Sequence, residues 1–95
     1  MSIIVLQLFI AGRTPRTEHA IATLRQLIEL RLAGHPCELV IVDVLTDPQQ
    51  AEERHILATP TLIKMSPLPQ RRIIGDLADA DGLLAALSLP SMPLA

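Results

Sequence analysis

The sequence predicts an α/β domain in the order β-α-β-α-β-β-α, with a mixed four-stranded sheet and helices on both faces. Three observations carry this. Two apolar runs, residues 3–10 and 38–44, flank an amphipathic segment long enough for a right-handed parallel crossover. A short helix signal at Asp47-Pro48 leads to a proline joint, Ala58-Thr59-Pro60, placed immediately before a third apolar run. A proline-rich turn at residues 66–70 then folds that run back on a fourth, so the last two strands are expected to be antiparallel.

Taken in order, Ile3 to Ile10 is rich in β-branched residues and closed by Ala11-Gly12, as suits a strand buried on both faces. Thr14-Pro15 reads as an N-cap with proline at the first helical position. Ala20, Ile21, Leu24, Leu27, Ile28 and Leu32 form a helical stripe that Gly34 ends. Glu38 to Val44 reads as a second buried strand. Asp47 is a good N-cap for a helix running to about His55, with Gln50 placed to complete a capping box. Thr61 to Met65 is the third strand and Arg71 to Ile74 the fourth, broken by Gly75-Asp76. A last helix is expected over Asp79 to Leu87, and Pro90 and Pro93 end regular structure. Ninety-five residues suit one core. The expected division is a βαβ half over 1–46, an αββα half over 47–89 and a short tail over 90–95.

Composition narrows the function. The chain is 49% hydrophobic, with one Phe and no Trp or Tyr, so little is available to stack on bases. A net charge of −2 argues against nucleic acid, whose phosphates need a basic footprint. The apolar N-terminus lacks a basic leader and is interrupted by Gln7. It is too short to span a bilayer, so a cytoplasmic protein without a membrane partner is expected.

The element order, with a proline just before the third strand, is similar to the thioredoxin-like layout. In that layout the proline is commonly cis and sits beside the active-site loop after the first strand. Here that loop is Gly12-Arg13-Thr14-Pro15-Arg16-Thr17, with no cysteine. The low-pKa thiolate that such an oxidoreductase needs at the start of the first helix is missing. Cys37, the one cysteine, falls at the start of the second strand and reads as a buried structural thiol. Thr14 and Thr17 read as caps in preference to glutathione-binding hydroxyls, and Arg13 and Arg16 as solvated side chains in preference to an anion site at the helix N-terminus. His19, His35 and His55 have no ligand spacing, so neither metal nor cofactor is expected. Asp43 and Asp47 read as turn or cap carboxylates. Lys64, Arg71 and Arg72 share the predicted hairpin, where edge-strand protection and a basic partner-binding patch are both open readings.

Several stretches carry a family likeness. Phe9-Ile10-Ala11-Gly12, Thr14-Pro15, Val42-Asp43-Val44-Leu45, Asp47-Pro48-Gln49 and Ala51-Glu52-Glu53 resemble the KaiB family. So do the longer runs from Ile56 to Leu62 and from Arg71 to Leu77. The resemblance implies a non-enzymatic circadian-clock protein that binds the N-terminal ATPase ring of a KaiC-type ATPase. It further implies sequestration of KaiA where KaiA exists, and displacement of a sensor histidine kinase carrying a similar domain. It also implies a second fold: a tetrameric ground state with a different C-terminal half, beside a thioredoxin-like monomer that binds KaiC.

Where the family tends to carry basic residues in the first helix and before Ile56, this chain has His19 and His55, whose charge changes near neutrality. Together with Lys64, Arg71 and Arg72 they form the expected partner-binding set. Pro60, Gly75, Asp76, Ala86 and Ser88 form the expected set of structural and fold-switching positions. Ala86 stands where the family pattern has glycine, and alanine favours helix by about 0.8–1 kcal/mol. The expected dominant state is therefore the thioredoxin-like one, mainly monomeric. A redox-inactive relative of thiol- or glutathione-handling enzymes, and a stand-alone kinase sensory domain, are the other readings. A chain running from Met1 to just past the last helix favours a stand-alone protein.

Overall fold

A computed structural model describes residues 3–32, 34–75 and 86–87. Six elements occur in order: β1 (Ile4–Ile10), α1 (Pro15–Arg31), β2 (Cys37–Asp43), α2 (Pro48–Glu53), β3 (Thr61–Ser66) and β4 (Arg71–Ile74). The four strands make one sheet in the order β2-β1-β3-β4. β1 pairs with β2 in parallel, and the β1–β3 and β3–β4 pairs are antiparallel. The expected mixed four-stranded sheet forms, and β1 and β3 lie at its centre. The expected helix over Asp79 to Leu87 falls mostly outside the described residues, as do Asp76 and Ser88. Of that stretch, Ala86 is helical and exposed, and Leu87 is fully buried.

The two faces of the sheet carry different layers. Ile4, Leu6, Leu8 and Ile10 point to the α1 side and pack with Ala20, Ile21, Leu24 and Leu27, joined by Leu62 and Leu87. A period of two on the strand and of 3.6 on the helix therefore meet in one apolar layer. On the other face Phe9, Val42 and Ile63 form a smaller core, with Ile56 after α2 packed against it.

β2 departs from expectation. Its apolar run reads as a buried strand, yet only Val42 is buried and the rest is half-buried or exposed. Among the described residues no strand pairs with its outer side, so β2 stands at the edge of the described sheet.

The caps also differ in detail. The capping box falls at α1, where Thr14 and Thr17 each accept from the other's backbone N–H, at 3.2 and 2.8 Å. At α2, Asp47 accepts from the Gln50 amide, but the Gln50 side chain donates to the Asp47 carboxylate at 2.7 Å. The Asp47 backbone N–H is already bonded to the Asp43 carbonyl at 2.9 Å, so no reciprocal box forms there. The helix also stops earlier than expected, at Glu53 rather than His55.

Candidate functional site

At the end of the sheet where β1 and β2 finish and β3 begins, three connections meet: β1–α1, β2–α2 and α2–β3. Between them lies a groove of ≈190 Å³ lined by Ala11, Val44, Ala51, Ile56, Leu57, Ala58 and Thr59. Every side chain in that lining except Thr59 is apolar. Leu57 is 93% exposed on its rim, and Leu45 in the β2–α2 connection is 70% exposed.

Each wall has a physical cause. Asp43 Oδ1 accepts from the Gly12 amide at 3.1 Å and from the Leu45 amide at 3.0 Å, tying the first two connections together. Gly12 has φ +75°, a conformation that glycine adopts without a Cβ penalty. Thr17 is buried, and its hydroxyl lies within reach of the Gly12 and Thr14 carbonyls, at 3.2 and 3.0 Å. Neither threonine is thus presented as a free group at the loop. Thr61 donates to the Ala58 carbonyl at 2.6 Å and fixes the third wall. The Thr59–Pro60 bond is cis, Pro60 is buried, and its carbonyl accepts from the Gly75 amide at 3.1 Å.

The C-terminus of α2 closes in a Schellman arrangement. The Ile56 amide donates to the Ala51 carbonyl at 2.9 Å and the His55 amide to the Glu52 carbonyl at 3.1 Å. Such a closure needs a left-handed residue, usually glycine; here His55 takes that place at φ +54°. The last two carbonyls of the turn are not left to water. Arg72, on β4, donates from Nη2 to the Arg54 carbonyl at 2.6 Å and from Nη1 to the His55 carbonyl at 3.0 Å.

The expected partner-binding residues are thereby sorted into separate places. Cross-strand pairing sets Arg72 opposite Ile63, on the face that carries Ile56 and the turn after α2. His55 and Arg72 therefore come together beside the groove. Lys64 pairs with Arg71 and with Leu6, which sets both cations on the α1 side of the sheet. Lys64 is 0% exposed there, so in this fold it is not the surface cation that a shared basic patch would require. Burial, with a smaller contribution from the Arg71 charge, lowers its pKa. His19 is exposed on α1, the layer opposite α2. Cys37, expected to be buried, is only half-buried on the edge strand β2, and that burial raises its thiol pKa.

Sequence reasoning missed the Asp43 tie and the Arg72 fork. A carboxylate at the end of a parallel strand, just after the level of the first loop, signals the former. The latter has no local signal, since its partners are main-chain carbonyls 17 and 18 residues away. Among the described residues no helix is long and apolar enough to cross a membrane.

Comparison with known proteins places this geometry. A KaiB domain model matches residues 7–89. The circadian clock oscillator protein KaiB of Synechococcus elongatus is 49% identical over 85 residues, covering 90% of this chain and 82% of its own. Its counterpart in Parasynechococcus marenigrum is also 49% identical, over 90% of this chain and 81% of its own. Among solved structures, the N-terminal domain of Synechococcus elongatus SasA superposes with a TM-score of 0.77 at 28% identity, over 93% of this chain and 86% of that one. Mitochondrial thioredoxin 3 of Saccharomyces cerevisiae superposes with a TM-score of 0.70 at 21% identity, over 93% and 79%, a likeness of fold.

Proposed function

The chain belongs to the KaiB family of circadian clock proteins, and from that premise we propose that it is a non-enzymatic binding protein docking on the N-terminal ATPase ring of a KaiC-type ATPase. The docking state is the thioredoxin-like one, and it is the dominant and mainly monomeric state of this chain. KaiA, or a sensor-kinase pathway, is the further partner where the host has one. The docking surface is the groove end of the sheet, with Leu57 and the His55 corner at its centre, and His19 and Arg71 outside it.

One observation carries this reading: an apolar rim residue, Leu57, stands almost wholly in solvent beside a turn held by specific hydrogen bonds. What sets Leu57 apart from a singly exposed leucine is its place on the rim of an apolar groove, where a partner that covers the rim would bury both. The loop after β1 supports a binding role over a thiol enzyme, because Thr14 and Thr17 are spent on the α1 cap and no thiol stands there.

The test is direct binding of the full chain to the assembled ring of its host's KaiC-type ATPase, with phosphomimetic and non-phosphorylatable rings compared. Binding that favours the phosphomimetic ring is expected. No binding to either ring would remove the docking reading. Backbone chemical shifts over residues 48–88 test the fold state, and a strand in place of the expected 79–87 helix, or a stable tetramer on sizing, would overturn it.

A further inference from the structure

We infer that Arg72 is a positioning residue: its two-pronged guanidinium holds the left-handed turn at His55 and so presents Leu57 and Ala58 to a partner, without being a partner contact itself. The inference rests on the docking reading for its consequence, but its conformational core belongs to the free protein.

Three features meet at this corner. The first is the backbone of His55, at φ +54° in the left-handed region, where a side chain with a Cβ is disfavoured. Something outside the residue must compensate for that choice. The helix supplies part, through the two Schellman bonds from His55 and Ile56. α2 is only six residues long and buries none of them, so it has little packing of its own to hold its last turn.

The second feature is the fork. The planar guanidinium matches two successive carbonyls, Arg54 and His55, at 2.6 and 3.0 Å. These are bonds from a cation to the negative end of a helix, stronger than neutral ones. They join β4, part of the sheet, to a turn that the sheet does not otherwise pair. Lysine, a point charge on a flexible stem, would not reproduce the geometry.

The third feature is the exit from the turn. Ile56 drops into the smaller core and Leu57 emerges 93% exposed, while Ala58 is pinned by Thr61. The direction in which Leu57 leaves is set at both ends, by Arg72 through His55 and by Thr61 through Ala58. Among the described residues no carboxylate pairs with Arg72, so the fork is the interaction that gives its charge a fixed place.

The test uses the full chain with Arg72→Ala, Arg72→Lys, and Arg72→Ala combined with either His55→Gly or His55→Ala. Glycine takes the left-handed conformation unaided, whereas alanine removes the imidazole but keeps the Cβ. In the free protein, backbone NMR is expected to show His55–Ala58 displaced and faster in amide exchange in Arg72→Ala, and restored by His55→Gly. Unchanged amides in Arg72→Ala would overturn the inference whatever the partner does. Against the ATPase ring, Arg72→Ala is expected to bind about tenfold more weakly. His55→Gly should recover most of that loss, and His55→Ala should not. Arg72→Lys should bind like Arg72→Ala. A double variant with His55→Gly as weak as Arg72→Ala, or full binding by Arg72→Lys, would make Arg72 a direct or purely charge-based contact and overturn the positioning role. If the wild-type chain does not bind the ring, the docking reading falls, and the free-protein measurement still decides the hold on the turn.

Discussion

Asp43 accepts a hydrogen bond from the Gly12 amide at 3.1 Å across 31 residues of chain, so the end of β2 fixes the loop after β1. The same oxygen accepts from Leu45, and the Asp43 carbonyl accepts from Thr46 and Asp47. One residue thus satisfies the donors of two adjacent connections and sets their spacing. That spacing opens the groove between Ala11 and Val44.

Removing that carboxylate leaves the part-buried Gly12 amide and the exposed Leu45 amide without their acceptor. Asp43→Ala is expected to destabilise the fold by about 2 kcal/mol, the range for bonds to a charged acceptor. Asp43→Asn keeps one acceptor oxygen and should lose less than Asp43→Ala. Urea unfolding checks both, and equal stability of Asp43→Ala and wild type would show that water replaces the carboxylate.

The cap on α1 is reciprocal, so either half exposes a donor. Thr14→Ala is expected to cost about 1 kcal/mol. Thr17→Val, which keeps the buried shape but removes the hydroxyl, should cost at least as much because the Thr14 amide loses its acceptor. Thermal unfolding of the two variants and their double mutant measures the pair. Costs that simply add would mean that the two bonds are independent.

Much of this was legible in the sequence. The apolar run from Ile3 to Ile10 and the helical stripe from Ala20 to Leu32 supply the two sides of the main core, and Thr14-Pro15 and Asp47-Pro48 place both helix starts. The features that escaped have physical reasons. Val40 and Ile41 read as buried because an apolar run does not say whether its strand has one neighbour or two. His55 gave no stop signal because the left-handed position after α2 usually holds glycine. Lys64 looked like a surface cation, but its register with Leu6 turns it onto the core face. The groove itself is assembled from three connections, and no local pattern contains it.

Lys64 gives a pH-dependent prediction. Burial and the Arg71 charge hold its pKa below the ordinary value of 10.5. Between the lowered folded value and 10.5, the unfolded chain binds more protons than the folded one, so stability rises with pH across that window. Below the window both states are protonated and the full penalty of the buried charge applies. Lys64→Met, close in length and uncharged, should remove that rise. Chemical denaturation of both proteins at matched alkaline pH checks it, with Cys37 common to the two. A wild-type profile parallel to that of Lys64→Met would mean that Lys64 titrates as it does in the unfolded chain.

Leu57 and Leu62 are five positions apart and should respond in opposite ways to the same substitution. Leu62 is 0% exposed and packs in the main core with Leu6 and Leu8. Leu62→Ala removes buried methyl groups and leaves a cavity, at a cost of about 2–5 kcal/mol. Leu57 is 93% exposed, so Leu57→Ala removes almost nothing from the folded interior. Its stability should stay within about 0.5 kcal/mol of wild type. The free energy that Leu57 offers is realised only when a partner covers it, and a central apolar anchor is typically worth a tenfold or greater change in affinity. Leu57→Ala should therefore bind the ATPase ring roughly tenfold more weakly while melting normally. Leu57→Asp, which would bury a charge in the interface, should bind more weakly still. Leu62→Ala should melt early yet bind normally at temperatures where it is folded. If Leu57→Ala binds as wild type does, the exposed rim is not the centre of the interface, and docking must be sought on the α1 side at His19 or along the outer side of β2.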